Sequence, residues 1–322
     1  MRAIQIERHG GPEVLREADA PIPEPGPGQA RVKLAAAGLN FIDIYQRMGQ
    51  YKMSLPFIPG GEGAGVVDAI GPGVTEVKVG DRVATSAFHG AYAEYALADA
   101  WQLAHVPEGV DLKVAAAAML QGMTAHYLSH STYPLKAGES ALIYAATGGV
   151  GGLLTQMAKM LGARTLCAVG SEAKAAEART LGADEIILYR QVDIAQEARR
   201  LTEGKGVPVV YDSVGKDTFD ASLNSLAPRG YMVLYGQSSG PVPPLDPQML
   251  NRKGSLFLTR PTLAHYIATP DEFRWRAGDL LGWIADGRLR VRIARTFPLA
   301  QAADAHSYLA SGQALGKVLL EV

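Results

Sequence analysis

Through roughly the first 120 residues, apolar and polar positions alternate over short runs, which is the period of half-buried strands. These runs cover 4–7, 30–36, 63–70, 82–86 and 92–97. The stretches between them are rich in proline and glycine, most densely at Pro21-Ile22-Pro23-Glu24-Pro25-Gly26-Pro27-Gly28. The pattern predicts a mostly β unit. From about 124 to 261 the character changes. Short apolar runs at 141–145, 164–169, 185–188, 208–212, 231–235 and 255–259 now have helical segments between several of them. That alternation predicts an α/β fold with a parallel, doubly wound sheet. The chain then turns to helical segments at 270–286 and 299–310 and a last apolar strand at 318–320, an end able to pack back on the β unit.

The stretch 140–174 says most about chemistry. Ala141-Leu142-Ile143-Tyr144-Ala145 enters Ala146-Thr147-Gly148-Gly149-Val150-Gly151, and a helical pattern follows at Val150, Leu153, Leu154, Met157 and Leu161. The first turn of a helix carries backbone N–H groups without partners and the positive end of the dipole, so backbone alone can bind a pyrophosphate there. Against the fingerprint G-x-G-x-x-G, Ala146 stands in the first place, Gly148 and Gly151 in the second and third, and Gly149 adds clearance. A turn of small residues before a packed helix also occurs without any nucleotide. The second strand adds the deciding weight.

That strand ends in Gly170-Ser171-Glu172-Ala173-Lys174, about 20 residues after the turn, where an NAD site places an acid against the ribose 2′-OH. Here the place is held by Gly170. The Ser171 hydroxyl and the Lys174 cation suit a 2′-phosphate, which carries about two negative charges. The expectation is NADPH rather than NADH. Glu172 points the other way, and Lys174 also suits a solvated position in the next helix's first turn. Gly236-Gln237-Ser238-Ser239 follows the strand at 231–235, at the carboxyl end where ligands of open α/β sheets bind; a plain surface turn is the alternative.

Composition adds bounds. A length of 322 residues suits two domains, and 48% hydrophobic with 20% charged residues is ordinary for a globular protein. A net charge of −1 argues against a broad nucleic-acid or anionic-membrane surface. Met1-Arg2-Ala3-Ile4-Gln5-Ile6 has no secretory-type apolar segment, and the run 114–120 is far shorter than the about 20 residues of a membrane span, so a cytoplasmic protein is expected. The single cysteine, Cys167, lies in an apolar strand and reads as a small buried hydrophobe. With no Cys-x-x-Cys and no paired histidines, no metal site is expected.

Several ordered segments together resemble one family: His9-Gly10-Gly11-Pro12-Glu13-Val14-Leu15, Gly38-Leu39-Asn40-Phe41-Ile42-Asp43, the stretch 60–65, Gly80-Asp81-Arg82-Val83, the turn at 145–151, Val210-Tyr211-Asp212-Ser213-Val214-Gly215 and Thr259-Arg260-Pro261. The whole chain is similar to medium-chain dehydrogenases/reductases, and among them to the zeta-crystallin-like quinone oxidoreductases of the bacterial, NADPH-dependent type. The resemblance implies a GroES-like catalytic domain from 1–123 and 262–322, a Rossmann NADPH-binding domain over 124–261, and an active site in the cleft beside the nucleotide domain. It carries cofactor roles to Asn40, Tyr127, Gly149, Val150, Gly170, Ser171, Lys174, Tyr189, Ser213, Gly236, Ser238, Ser239 and Arg260, beside the fingerprint residues Gly148 and Gly151. Tyr189 is implied near the adenine and Arg260 near the nicotinamide or phosphates, with packing and a surface cation as the alternatives. An arginine that bacterial relatives often use near the C-terminus has no counterpart around Ser311-Gly312-Gln313. The resemblance also implies a homodimer paired along 254–259.

One departure bears on the reaction. Zinc-dependent relatives carry Gly-His-Glu where this chain has Gly60-Gly61-Glu62, so Gly61 removes a metal-ligating imidazole, and one cysteine leaves no four-cysteine site. Glu62 is expected to be structural, satisfied by hydrogen bonds or a cation. Without a Lewis acid, acceptors that take hydride readily fit better than simple ketones: a quinone, driven by aromatisation, or an α,β-unsaturated carbonyl. The implied activity is NADPH-dependent quinone reduction by hydride transfer, with Asn40 as the leading polar residue at the reacting ends and Tyr45 and Tyr51 lining the acceptor pocket. Loop capping for Asn40 and ordinary packing for the tyrosines are the alternatives. An enone or enoyl-thioester reductase would keep the same fold. So would an NADPH- or RNA-binding protein, against which near-neutral charge and the lack of a recognised RNA-binding motif argue.

Overall fold

The alternating runs of the N-terminal region become strands in the computed structural model, which describes residues 1–322. β1 (Arg2–Gln5) pairs antiparallel with β2 (Arg16–Asp19). β3 (Gln29–Leu39) leads into α1 (Phe41–Arg47), and β4 (Glu62–Ile70), β5 (Arg82–Thr85), β6 (Tyr95–Asp99), β7 (Ala104–His105) and α2 (Leu112–Tyr127) follow. On β3, Ala30, Val32 and Leu34 are buried while Lys33 between them is exposed, so the alternation selects the inward face. From Ala36 onward β3 is buried on both faces. The short helix α1 escaped the period-based reading, although Asn40 followed by Asp43 is a start signal: the Asp43 carboxylate accepts the Asn40 backbone N–H at 2.8 Å.

The middle region forms β8 (Ser140–Tyr144), α3 (Gly149–Met160), β9 (Arg164–Val169), α4 (Glu172–Thr180), β10 (Glu185–Leu188), α5 (Ile194–Leu201), β11 (Val207–Asp212), α6 (Phe219–Ser225), β12 (Leu226–Leu234), α7 (Gln248–Arg252) and β13 (Phe257–Thr259). All six strands are parallel, in the order β10-β9-β8-β11-β12-β13. The winding reverses between β8 and β11, which in such sheets opens a ligand crevice at the carboxyl ends. Leu142, Leu166, Ile187, Val210 and Met232 fill the core of this sheet. On α3, Leu153, Leu154 and Met157 are buried, as their spacing predicts. Cys167 is buried, and burial pushes its thiol up to about 11, which leaves no thiolate at neutral pH.

The chain then adds α8 (Pro270–Ala285), β14 (Ile293–Pro298), α9 (Ala302–Ala310) and β15 (Lys317–Glu321). β14 was absent from the sequence reading, because Arg292 and Arg295 break its apolar run. β15 joins β14 in parallel and β3 in antiparallel, completing a sheet ordered β14-β15-β3-β4-β5-β7, with β6 also on β3. Two compact units result: Met1–Met123 with Ile267–Val322, and Thr124–Tyr266. Residues 262–266 stay with the second unit, where Tyr266 stacks on Tyr127 at 4.2 Å between ring centroids. No helix is long and apolar enough to cross a membrane.

At the end of β11 the buried Asp212 carboxylate organises the turn. It accepts the backbone N–H groups of Val214 (2.7 Å) and Gly215 (3.1 Å) and the hydroxyls of Thr218 (2.8 Å) and Ser222 (2.7 Å). Replacing Asp212 with Ala strands these donors and should lower stability by about 3 kcal/mol, which urea unfolding of the variant will measure.

Candidate active site

In the second unit, the parallel sheet brings most of the proposed nucleotide contacts to one edge. Gly148 to Gly151 follow β8, Gly170, Ser171 and Lys174 follow β9, and Tyr189 follows β10. Ser213 follows β11, Gly236, Ser238 and Ser239 follow β12, and Arg260 follows β13. Because the strands are parallel, all of these lie at carboxyl ends. Gly148 is the N-cap of the twelve-residue helix α3, with no side chain of its own to occupy the orphan N–H groups. A Cβ on Gly151 would collide with the Ala145 carbonyl oxygen, so helix and strand approach closely only with glycine there. Ala145 makes the turn possible from its left-handed φ of 49°.

The Ser171 hydroxyl caps α4 by accepting the Lys174 N–H at 3.3 Å. Tyr189 is 41% exposed beside it, and a Cβ on Gly170 would stand 2.6 Å from the Tyr189 hydroxyl. Ser239 holds the β12 loop by donating to the Val214 carbonyl at 2.8 Å. Gly236 runs against the Ser213 backbone, where a Cβ would stand 2.5 Å from the Ser213 oxygen. These residues offer a helix N-terminus, a hydroxyl and a cation along one edge, which fits a dinucleotide phosphate chain. Tyr127 stands apart from this row, buried at the end of α2 with its ring on Tyr266.

The first unit holds Asn40, Tyr45 and Tyr51. The register of three strands creates the setting: Gly38 faces Glu62 across β3 and β4, while Leu39 faces Val318 across β3 and β15. Asn40, Glu62 and Lys317 therefore meet, although Lys317 is 277 positions from Asn40. Asn40 donates its side-chain N–H to Glu62 at 2.7 Å and to the Gly38 carbonyl at 3.2 Å, and its Oδ1 accepts from the Lys317 ammonium at 2.7 Å. Lys317 also pairs directly with Glu62 Oε2, and Glu62 Oε1 accepts the Leu120 N–H at 2.7 Å. Glu62 and Lys317 are 0% and 1% exposed, so neither charge has water for a partner. Burial pulls the Lys317 ammonium below its ordinary pKa, while Glu62 pulls the other way. Any side chain at Gly38 would collide with the Glu62 carboxylate.

A second buried chain of polar groups touches the first at Asn40. Tyr92 donates its hydroxyl to Asp43 Oδ2 at 3.1 Å, the hydroxyl oxygen lies 3.1 Å from His306 Nε2, and Arg47 Nη1 lies 3.3 Å from His306 Nδ1. Asp43 borders a cavity of about 450 Å³ that Ile42, Phe57, Ile58, Gly61, Phe88 and Leu120 also line. That volume suits a small-molecule acceptor. Tyr45 and Tyr51 meet edge to face at 5.8 Å, with Tyr51 partly exposed, and neither belongs to the lining of this cavity. Sequence reasoning missed Arg47, Asp43, Tyr92, His306 and Lys317. Only Asp43 carried a local signal, its spacing from Asn40.

Comparison with known proteins bears on both units. A profile described as the alcohol dehydrogenase GroES-like domain matches residues 26–108, and one described as zinc-binding dehydrogenase matches 181–320. A quinone oxidoreductase of Pseudomonas aeruginosa is 47% identical over 321 residues, covering 99% of each chain. The chain belongs to the quinone oxidoreductase family of medium-chain dehydrogenases/reductases. Among solved structures, a mycobacterial protein complexed with NADPH superposes with a TM-score of 0.98 at 47% identity, covering 100% of both chains. The Escherichia coli quinone oxidoreductase complexed with NADPH gives 0.97 at 41%, again covering 100% of both.

Within this family zinc is the group to test against the residues. Gly61 has no side chain to offer, both Glu62 oxygens are engaged, and no three His, Cys, Asp or Glu side chains converge. The donor set does not fit zinc. Glu62 was expected to be satisfied by hydrogen bonds or a cation, and it has both: Asn40 and Leu120 donate to it and Lys317 pairs with it.

Removing one partner of a buried ion pair leaves the other charge uncompensated, so Lys317→Met should destabilise the protein by about 3–5 kcal/mol. Adding Glu62→Gln should restore part of that loss, as read by urea unfolding of the single and double variants. Gly151→Ala should weaken NADPH binding by forcing α3 away from β8, as read by fluorescence titration of the bound nucleotide.

Proposed function

We propose that this protein reduces quinones with NADPH, by hydride transfer to an acceptor held in the cavity beside Asp43. One observation carries this reading of the acceptor: the ammonium of Lys317, rather than a metal-ligand set, satisfies Glu62 next to the side-chain-free Gly61. An acceptor at such a site has no Lewis acid to take up an alkoxide charge, so it must delocalise the incoming charge itself, as a quinone does. The names of the full-length relatives and the NADPH carried by two structural neighbours support the same reading.

When bound, NADPH supplies the hydride. The backbone N–H groups of Gly149, Val150 and Gly151 would hold its pyrophosphate beside Gly148, and Ser171 with Lys174 its 2′-phosphate. Tyr189 would cover the adenine, while Ser213, Gly236, Ser238, Ser239 and Arg260 would serve the rest of the cofactor, with Asn40, whose amide already serves Glu62, Gly38 and Lys317, and Tyr127, whose ring lies on Tyr266, acting as supports rather than direct contacts. Tyr45 and Tyr51, which stand outside that cavity's lining, would flank the acceptor only beyond it. The outermost strand β13, whose outer edge has no partner in its own sheet, would pair with its counterpart in a homodimer. The protein would act in the cytoplasm.

Steady-state NADPH oxidation across a benzoquinone, an enone and a crotonyl thioester tests this reading. The quinone should be turned over fastest, and preference for the thioester would replace the reading with an enoyl reductase. Gly170→Asp should raise the KM for NADPH by roughly 10-fold and lower that for NADH, because a carboxylate repels the 2′-phosphate and accepts from the 2′-OH. Unchanged constants for both cofactors would remove Gly170, Ser171 and Lys174 from the 2′-phosphate site.

A further inference from the structure

Quinone reduction needs a proton as well as a hydride, and one side chain bordering the acceptor cavity is arranged to hold it. The hydrogen bonds around Asp43 have a definite direction. Arg47 can only donate, so its bond to His306 makes His306 Nδ1 an acceptor and places the ring hydrogen on Nε2. His306 Nε2–H then donates to the Tyr92 oxygen, and Tyr92 donates its own hydrogen to Asp43 Oδ2. The Asn40 backbone N–H donates to the same oxygen. Every neighbour of Oδ2 is a donor. These neighbours donate to Oδ2 and none of them to Oδ1, which places a proton of Asp43 on Oδ1, and Asp43 is among the residues that line the cavity.

We propose, on the reading that the cavity takes a quinone, that Asp43 is the proton donor to the reduced acceptor. Hydride arrival leaves the acceptor as a hydroquinone monoanion. The Asp43 Oδ1–H bond then breaks, a new O–H bond forms at the anionic oxygen, and the carboxylate regains a proton from water after the product has left. The environment keeps the proton available. Burial drives the Asp43 carboxyl up to about 7, against the hydrogen bonds from Asn40 and Tyr92 and the charge of Lys317, with Glu62 adding to the rise. The other ionisable groups around it are Arg47 on its own helix, His306 on α9, which burial and Arg47 push down to about 3 and so keep neutral, and His89 in the cavity lining. A phenolic oxygen with a pKa near 10 takes a proton from such a carboxyl downhill.

Two measurements test the assignment. Infrared titration of the protein without cofactor should show a protonated carboxyl band that disappears around pH 7 in the wild type and is missing in Asp43→Asn. With a benzoquinone, wild-type kcat should fall as pH rises past 7. Asp43→Asn should lose roughly 10²-fold in kcat at low pH and show no such limb, with NADPH affinity retained. Tyr92→Phe removes a hydrogen bond that stabilises the carboxylate, so the infrared midpoint and the kinetic limb should move to higher pH together. A kinetic limb that stays in Asp43→Asn, or fails to follow the infrared midpoint in Tyr92→Phe, overturns the assignment. A wild type that turns over no quinone while the infrared band titrates as expected would instead sink the quinone reading and leave the proton on Asp43.

Discussion

A buried ion pair organises the first unit. Glu62 and Lys317 lie at the meeting of β3, β4 and β15, where neither charge has solvent, and each is tolerable only because the other is present. Asn40 bonds both partners, which holds the end of β3 and the start of α1 in place. Through the Asn40 backbone N–H the arrangement reaches Asp43, and from Asp43 it continues through Tyr92 and His306 to Arg47. A charge defect at Lys317 would therefore be felt at the wall of the cavity that Asp43 lines, two hydrogen bonds away.

In the second unit the organising constraint is backbone geometry. Six parallel strands end on one side, and the turn after β8 lets a helix start close against the sheet because Gly151 leaves room for the Ala145 carbonyl. A nucleotide phosphate held at that turn would need few side chains, since N–H groups at a helix start already carry the required direction and partial charge. Asp212 contributes the complementary rigidity at β11, where the sheet changes its winding sense. One unit thus works through a paired charge and the other through unpaired backbone donors.

A residue without a side chain at position 61 has two structural sides. It leaves an open wall in a largely apolar cavity, and it leaves Glu62 with a lysine as its counter-charge. An enzyme so built has no electrophile of high charge density next to its acceptor, and its chemistry is limited to substrates that spread charge themselves. Proton delivery then becomes the task for which protein groups are needed, and the one-way hydrogen bonds around Asp43 meet it.

Local signals made much of the fold legible. Period-two runs marked β3, β4 and β5, and the spacing of Leu153, Leu154 and Met157 marked α3, because burial on one face leaves its period in the chain. The glycine turn at 148–151 and the end of β9 at 170–174 were readable for the same reason: strand, turn and helix are consecutive, so the pattern lies within a few residues. β14 and α1 were not readable, one interrupted by Arg295 and the other too short to show a period. Glu62 could be assigned hydrogen bonds or a cation but not their source, since a lysine more than 250 positions away leaves no local trace. The identity of Lys317 as that cation, the direction of the bonds on Asp43 and the cavity it borders were decided only by strand register and helix packing, which bring distant residues within hydrogen-bond reach.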